Sequence, residues 1–221
     1  MLEFFSFRTI WEYRSLFQEG LRNTFLISIV SLFLALIAGV LACAARLSGW
    51  RGLRGVSIAY IESIRSTPLL VQIYFLYFGL PTLGIRIPEI QTGILALMLN
   101  SGAYIAEIVR AGITSVPGGQ IEAGISSGLS YFQRMRFIIL PQALGVTVPP
   151  LLGQAITLVK DSALLSMISV VELTRSGQML TSERFMPAEA FFTVALLYLV
   201  IYFFLKYLSG WSQKKLIFRE T

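Results

Sequence analysis

Thr24 to Ala45 runs for 22 residues without a charged side chain, and about 20 apolar residues cross the roughly 30 Å hydrocarbon core of a bilayer. A stretch of that length and purity commits the chain to a membrane. Composition points the same way. Of 221 residues, 55% are hydrophobic and 14% charged, whereas soluble domains carry about 25% charged residues. A soluble globular enzyme is therefore excluded. The chain has no histidine and one cysteine, Cys43, so it has no means to build a zinc site, a CxxC pair, an internal disulfide or a histidine-centred triad. No metal site and no cofactor are expected on it. It also has no Gly-Lys pair from which to make a GxxxxGK[ST] phosphate loop, so any ATP involved binds to another chain.

Four further apolar stretches, 56–80, 92–113, 146–171 and 188–209, complete an expected all-α membrane protein of five transmembrane helices. Around them lie an N-terminal segment 1–23, a long connection 114–145 and a tail 210–221. The net charge of +6 reads as membrane topology, not as an affinity for nucleic acid, because it comes from 46–55, 114–145 and 210–221. Lys and Arg counts in the short connections favour those three segments on one side, which places the N-terminus outside and the C-terminus in the cytoplasm. Residues 1–23 lack the basic start of a signal peptide. With Phe4, Phe5, Phe7, Trp11, Tyr13 and Phe17 they are expected to form an amphipathic segment on the outer surface. Ser31, Ala35, Gly39 and Cys43 recur every four residues, a small-residue stripe that lets another helix approach closely.

The connection 114–145 is longer than most. Its sequence runs from Gly119 and Gln120 through Ile121, Glu122, Ala123 and Gly124 to Gly128, and then, after nine residues, to Ile138, Ile139, Leu140 and Pro141. Glu122 to Ser127 suits a short helix, Gly128 a turn, and Tyr131 to Leu140 a second helix with Arg134 and Arg136 on its wet face. Two short helices against the membrane make a docking surface.

At these residues the chain resembles the permease subunits of bacterial ABC importers, whose cytoplasmic signature is Glu-Ala-Ala, three residues, Gly, nine residues, Ile-x-Leu-Pro. Glu122, Ala123, Gly128, Ile138, Leu140 and Pro141 match it in spacing, and Gly124 stands where the second Ala is usual. Glycine costs about 1 kcal/mol relative to alanine inside a helix, so this coupling helix is expected to be less rigid. The resemblance extends to the polar amino acid branch through Arg65 to Gln72, Tyr77 to Pro81, Ala103 to Arg110, Pro141 to Ala143 and Lys160 to Ser162.

That resemblance implies the transmembrane domain of a type I importer in the bacterial inner membrane. It implies a second permease copy, identical or related, an ATPase pair that binds ATP and Mg, and an extracytoplasmic amino acid binding protein. The coupling residues are Gln120, Glu122, Ala123, Gly124, Gly128, Ile138, Leu140 and Pro141. ATP binding closes the ATPase pair, and the coupling helices transmit that movement into the spans.

Ionisable residues inside a span cost about 2.5 to 3.5 kcal/mol each on insertion scales. Gln154, Thr157, Lys160 and Asp161 fall at helical spacing in the fourth span. A zwitterionic amino acid needs an anion for its ammonium and donors for its carboxylate. Asp161 suits the first; Lys160, Ser162 or free backbone N–H groups suit the second, with a structural ion pair as the other reading. Asn100, Tyr104 and Glu107 form another polar stripe, of which Asn100 and Tyr104 are candidates for the passage. Glu62, Arg65, Glu107 and Arg110 reach similar depth and are expected to cluster as an inner gate or as structural pairs. Pro68 and Pro149-Pro150 are positioned to unwind backbone. The aromatics Phe191, Phe192, Tyr198, Tyr202, Phe203, Phe204 and Tyr207 suit lipid-facing and interfacial anchoring.

The substrate expected from these features is a neutral polar or basic amino acid ahead of an acidic one. Cystine, an opine or an ectoine-like zwitterion use the same machinery. A secondary transporter driven by an ion gradient ranks lower, because five spans do not divide into equal repeats.

Overall fold

The computed structural model describes the backbone of residues 7–217 and the side chains of residues 8–211. Met1 to Ser6, with the expected anchors Phe4 and Phe5, lie outside the described residues, as does the side chain of Phe7. Helix α1 (Phe7–Glu12) is followed by α2 (Arg14–Leu47), α3 (Arg51–Arg65), α4 (Leu69–Tyr74) and α5 (Glu89–Thr114). Then come α6 (Gly118–Ser126), α7 (Tyr131–Arg134), α8 (Leu140–Asp161), α9 (Leu173–Arg184) and α10 (Pro187–Ile217).

Four helical runs are long and apolar enough to cross a membrane: Arg14–Leu47, Glu89–Thr114, Tyr131–Ile168 and Pro187–Trp211. A further apolar run, Leu69–Leu83, is shorter than these four. The stretch 56–80 is thus not one helix. α3 ends at Arg65, Ser66 closes it, and Pro68, extended at φ −62 and ψ 138, starts α4. Proline disfavours the helical conformation in the residue before it, which breaks the run there.

Three other boundaries differ from expectation. Residues 14–23 are the start of α2 and continuous with it. Most of 210–221 continues α10 as far as Ile217. The second expected coupling helix does not stand alone, since Tyr131–Ile168 is a single helical run of 38 residues. Pro141 has no N–H to donate, and the π-helical turn Met135–Ile139 just before it absorbs the mismatch. Pro149 and Pro150 likewise sit inside α8 without unwinding it.

By its contacts the chain gathers into two compact units. One holds the residues up to Leu34, Thr67–Met98 and Ile156–Lys206. Its core contains Ile27, Ile73, Leu97, Leu158, Leu165 and Ile168, with a second cluster of Phe17, Leu173, Leu180, Ala190 and Val194. Gly20 lets α2 touch α9: a β-carbon there would stand 2.2 Å from Ser176 Oγ, whose hydroxyl donates to Leu16 O at 3.1 Å. Nearby, the Asn23 amide donates to Val171 O at 2.8 Å, and the Leu173 N–H donates to Thr24 Oγ1 at 3.1 Å. These bonds satisfy backbone groups at the entry to α9, where Leu173 is fully buried.

The other unit holds Ala35–Ser66, Leu99–Ala155 and the residues from Tyr207. Ala35, Gly39 and Cys43 of the small-residue stripe are buried in it, and a β-carbon on Gly39 would lie 2.5 Å from Ile105 Cγ2. Small side chains bring α2 and α5 together, as a small-residue stripe allows. α3 is pinned to the same pair by Ile61, by Ser57 donating to Ala42 O and by Tyr60 donating to Leu99 O, both at 2.7 Å.

Candidate functional site

The coupling segment is built by local chemistry. α6 ends in a complete Schellman turn: Gly128 stands in the left-handed region at φ 74, its N–H donates to Ile125 O at 2.9 Å, and the Leu129 N–H reaches Gly124 O at 3.0 Å. Two residues on, Ser130 caps α7 through a reciprocal capping box with Gln133. The Arg134 guanidinium closes the turn by donating to Leu129 O at 2.7 Å. Hydrogen bonds on both sides of Gly128 therefore fix the angle between α6 and the following helix.

Gly124 is the one buried residue of α6. A β-carbon there would meet Ile138 Cδ1 at 2.7 Å and Arg134 Cδ at 3.2 Å. The glycine that stands where the second Ala is usual is the point where α6 rests on the next helix. Gln120, Glu122 and Ala123 are exposed, with Glu122 on the side of α6 away from Gly124. Ile138 is half-buried, while Leu140 and Pro141 are exposed at the start of α8. Ile125, Phe132 and Phe137 add exposed apolar surface around the turn.

In the same unit, Glu107 of α5 gathers three arginines. Its carboxylate lies 2.8 Å from Arg46 Nη1, 2.9 Å from Arg110 Nη2 and 3.9 Å from Arg65 Nη1. The Arg65 guanidinium sits over the Tyr104 ring, 5.1 Å from its centre, within cation–π range. The expected cluster is corrected in one member and extended in another. Glu62 is exposed and has no cation within 4 Å among the described residues. The buried face of α3 passes through Ser57 and Ile61 and so reaches Arg65, with Glu62 turned aside. Arg46, read from sequence as a loop charge, lies in the last turn of α2 and makes the shortest contact.

The passage candidates divide by exposure. Asn100 is 6% exposed, Tyr104 is half-buried, and the Gln154 amide donates to Ser101 Oγ at 3.2 Å. In the other unit Thr157 and Lys160 are exposed and Asp161 is half-buried. Ser162 is fully buried, and its hydroxyl donates to Val159 O at 2.7 Å. It is directed into its own helix, which leaves Lys160 and Asp161 as the open polar groups of that turn.

Sequence reasoning missed Glu172. It is fully buried and caps α9, accepting from the Thr174 N–H at 2.8 Å and the Arg175 N–H at 2.7 Å. The Tyr198 hydroxyl donates to it at 2.9 Å, so this aromatic is held by a polar contact within the chain. Burial pushes the Glu172 carboxyl above the usual range, and the three donors offset part of that push. An acidic residue just before a helix start was the available signal.

A family model described as "Binding-protein-dependent transport system inner membrane component" matches residues 31–218. The glutamine transport system permease protein GlnP of Escherichia coli (strain K12) is 40% identical over 214 residues, spanning 96% of this chain and 98% of that protein. The probable glutamine ABC transporter permease protein GlnM of Bacillus subtilis (strain 168) is 38% identical over 187 residues, spanning 85% of this chain and 87% of its own. Among solved structures, an amino acid ABC transporter crystallised with histidines superposes with a TM-score of 0.91 at 34% identity, covering 95% of this chain and 98% of that one.

Proposed function

The chain belongs to the family of binding-protein-dependent transport system inner membrane components and is the permease subunit of a polar amino acid ABC importer; we propose that it carries a neutral polar amino acid of the glutamine class past Asp161. The fold is that of a type I importer transmembrane domain. The relatives named for glutamine support this substrate class.

In this reading, binding and hydrolysis of ATP with Mg take place on a partner ATPase that docks on α6 around Gln120, Glu122 and Ala123. A second permease copy completes the passage, and an extracytoplasmic binding protein delivers the substrate. The N-terminus faces outward and the C-terminus lies in the cytoplasm. The five crossings are the four long apolar runs and the shorter run near Leu69–Leu83, with 114–145 as the coupling segment. Glu107 and its arginines brace the cytoplasmic ends of α2, α3 and α5 as structural pairs.

One observation carries the proposal. α6 rests through Gly124 on a helical run, Tyr131–Ile168, that also bears Lys160 and Asp161. In this reading Gly124 passes the movement of α6 to the start of that run. Asp161 would take the ammonium, and Lys160 or a backbone N–H the carboxylate. The test is Asp161→Asn: uptake driven by the binding protein should fall about tenfold, the weight of one charge-assisted hydrogen bond, while co-purification with the ATPase stays unchanged. Wild-type uptake by that variant would remove Asp161 from the site.

A further inference from the structure

Glu107 cannot neutralise the arginines gathered around it. Arg46 and Arg110 hold its two oxygens at 2.8 and 2.9 Å, and Arg65 is left at 3.9 Å, beyond hydrogen-bond reach. Among the described residues no other carboxylate lies within 4 Å of these three guanidiniums. Three positive charges thus face one negative charge. The C-terminal turns of α2 and α3, which carry Arg46 and Arg65, offset roughly half a charge each, and about one positive charge remains. The side chains of Arg46 and Arg110 are 22 and 32% exposed. Arg65, which has the Tyr104 ring on one side and no hydrogen-bonded carboxylate, is 42% exposed and so presents its remaining donors to a further anion.

An apolar groove of about 420 Å³ lies in the same unit, lined by Val40, Cys43 and Leu47 of α2, Val109 and Ile113 of α5, and Leu144 of α8. Cys43 and Leu47 flank Arg46 along α2, and Val109 and Ile113 flank Arg110 along α5. The same two helices therefore offer a cationic cluster and a hydrocarbon slot side by side. A ligand that fits both has an oxyanion head and an apolar tail, and a bilayer surrounds the chain with such molecules.

We propose that this unit binds one anionic phospholipid, its phosphate held by Arg46, Arg65 and Arg110 and one acyl chain lying in the groove. The proposal rests on the chain crossing a bilayer and is independent of which amino acid it carries.

The test uses the permease assembled with its ATPase in nanodiscs of equal parts phosphatidylcholine and phosphatidylglycerol, extracted into detergent and weighed by native mass spectrometry. One phosphatidylglycerol per permease chain should survive extraction, with phosphatidylcholine absent. Arg65→Gln leaves the two close contacts to Glu107 in place and should cut retention about tenfold, as expected for one charge-assisted contact. Leu144→Trp fills the slot and should cut it comparably without loss of the ATPase. Equal retention of both lipids would overturn the proposal, as would Leu144→Trp retaining phosphatidylglycerol like the wild type. Displacement of the lipid by glycerol phosphate alone would assign the cluster to a free phosphate with no role for the groove. Cross-linking of a Leu144→Cys variant to a second copy would give the groove to protein, and would also overturn it.

Discussion

Gly124 and Ile138 approach so closely that a β-carbon at position 124 would stand 2.7 Å from Ile138 Cδ1. The closest atom, that methyl, is the end of a flexible side chain, the Arg134 stem at 3.2 Å has to give by only a few tenths of an ångström, and alanine favours a helix by about 1 kcal/mol over glycine. Gly124→Ala should therefore melt within a few degrees of wild type and still co-purify with the ATPase. Gly124→Leu has no such room and should lose the ATPase, because it lifts α6 off the helix beneath. Glu122→Arg changes only an exposed charge and should lose the ATPase with no change in melting temperature. Retention of the ATPase by both Gly124→Leu and Glu122→Arg would remove α6 as the docking element.

Glu107→Gln tests the arginine cluster as a brace. It leaves Arg46 and Arg110, both partly buried, and the more exposed Arg65 without a carboxylate, and removing one partner of such a cluster is destabilising. The melting temperature should drop clearly. Arg65→Lys, at the longest of the three contacts, should lower it far less. Equal small effects in the two variants would contradict the bracing role.

Glu172 makes a prediction about pH. Its carboxyl is raised by burial in the folded chain, so the folded state holds a proton that the unfolded state has already released. The associated stability is fully present below the unfolded carboxyl value near 4.3 and is lost as pH rises through the higher folded value. Glu172→Gln does not titrate. Its melting temperature should therefore gain on that of the wild type as pH rises from mildly acidic to neutral. A gap between the two that stays constant with pH would mean that Glu172 is charged throughout.

Much of this fold was legible because bilayer crossing leaves a local mark. The charge-free run from Thr24 to Ala45 and the spacing from Glu122 to Pro141 lie within short windows of sequence, and Pro68 breaks its helix as proline rules require. What stayed hidden depends on distant partners. Arg46 and Glu107 are 61 residues apart, and nothing local distinguishes Arg46 from an ordinary loop charge until α2 and α5 pack through Gly39. Tyr198 looks like any other aromatic of α10 until Glu172 is found beside it. The fusion of α7 into α8 was hidden for another reason: Pro141, Pro149 and Pro150 all signal a break, and a π-helical turn together with a continuous α8 accommodates them.

The central claim is that this chain imports a polar amino acid only when a partner ATPase drives it. The most direct measurement is uptake of labelled glutamine, histidine, arginine, glutamate and cystine into proteoliposomes holding the permease, its ATPase and its binding protein, with and without ATP on the ATPase side. The account predicts uptake of glutamine that stops when ATP is withheld. Uptake that ignores ATP and follows an imposed ion gradient would contradict it.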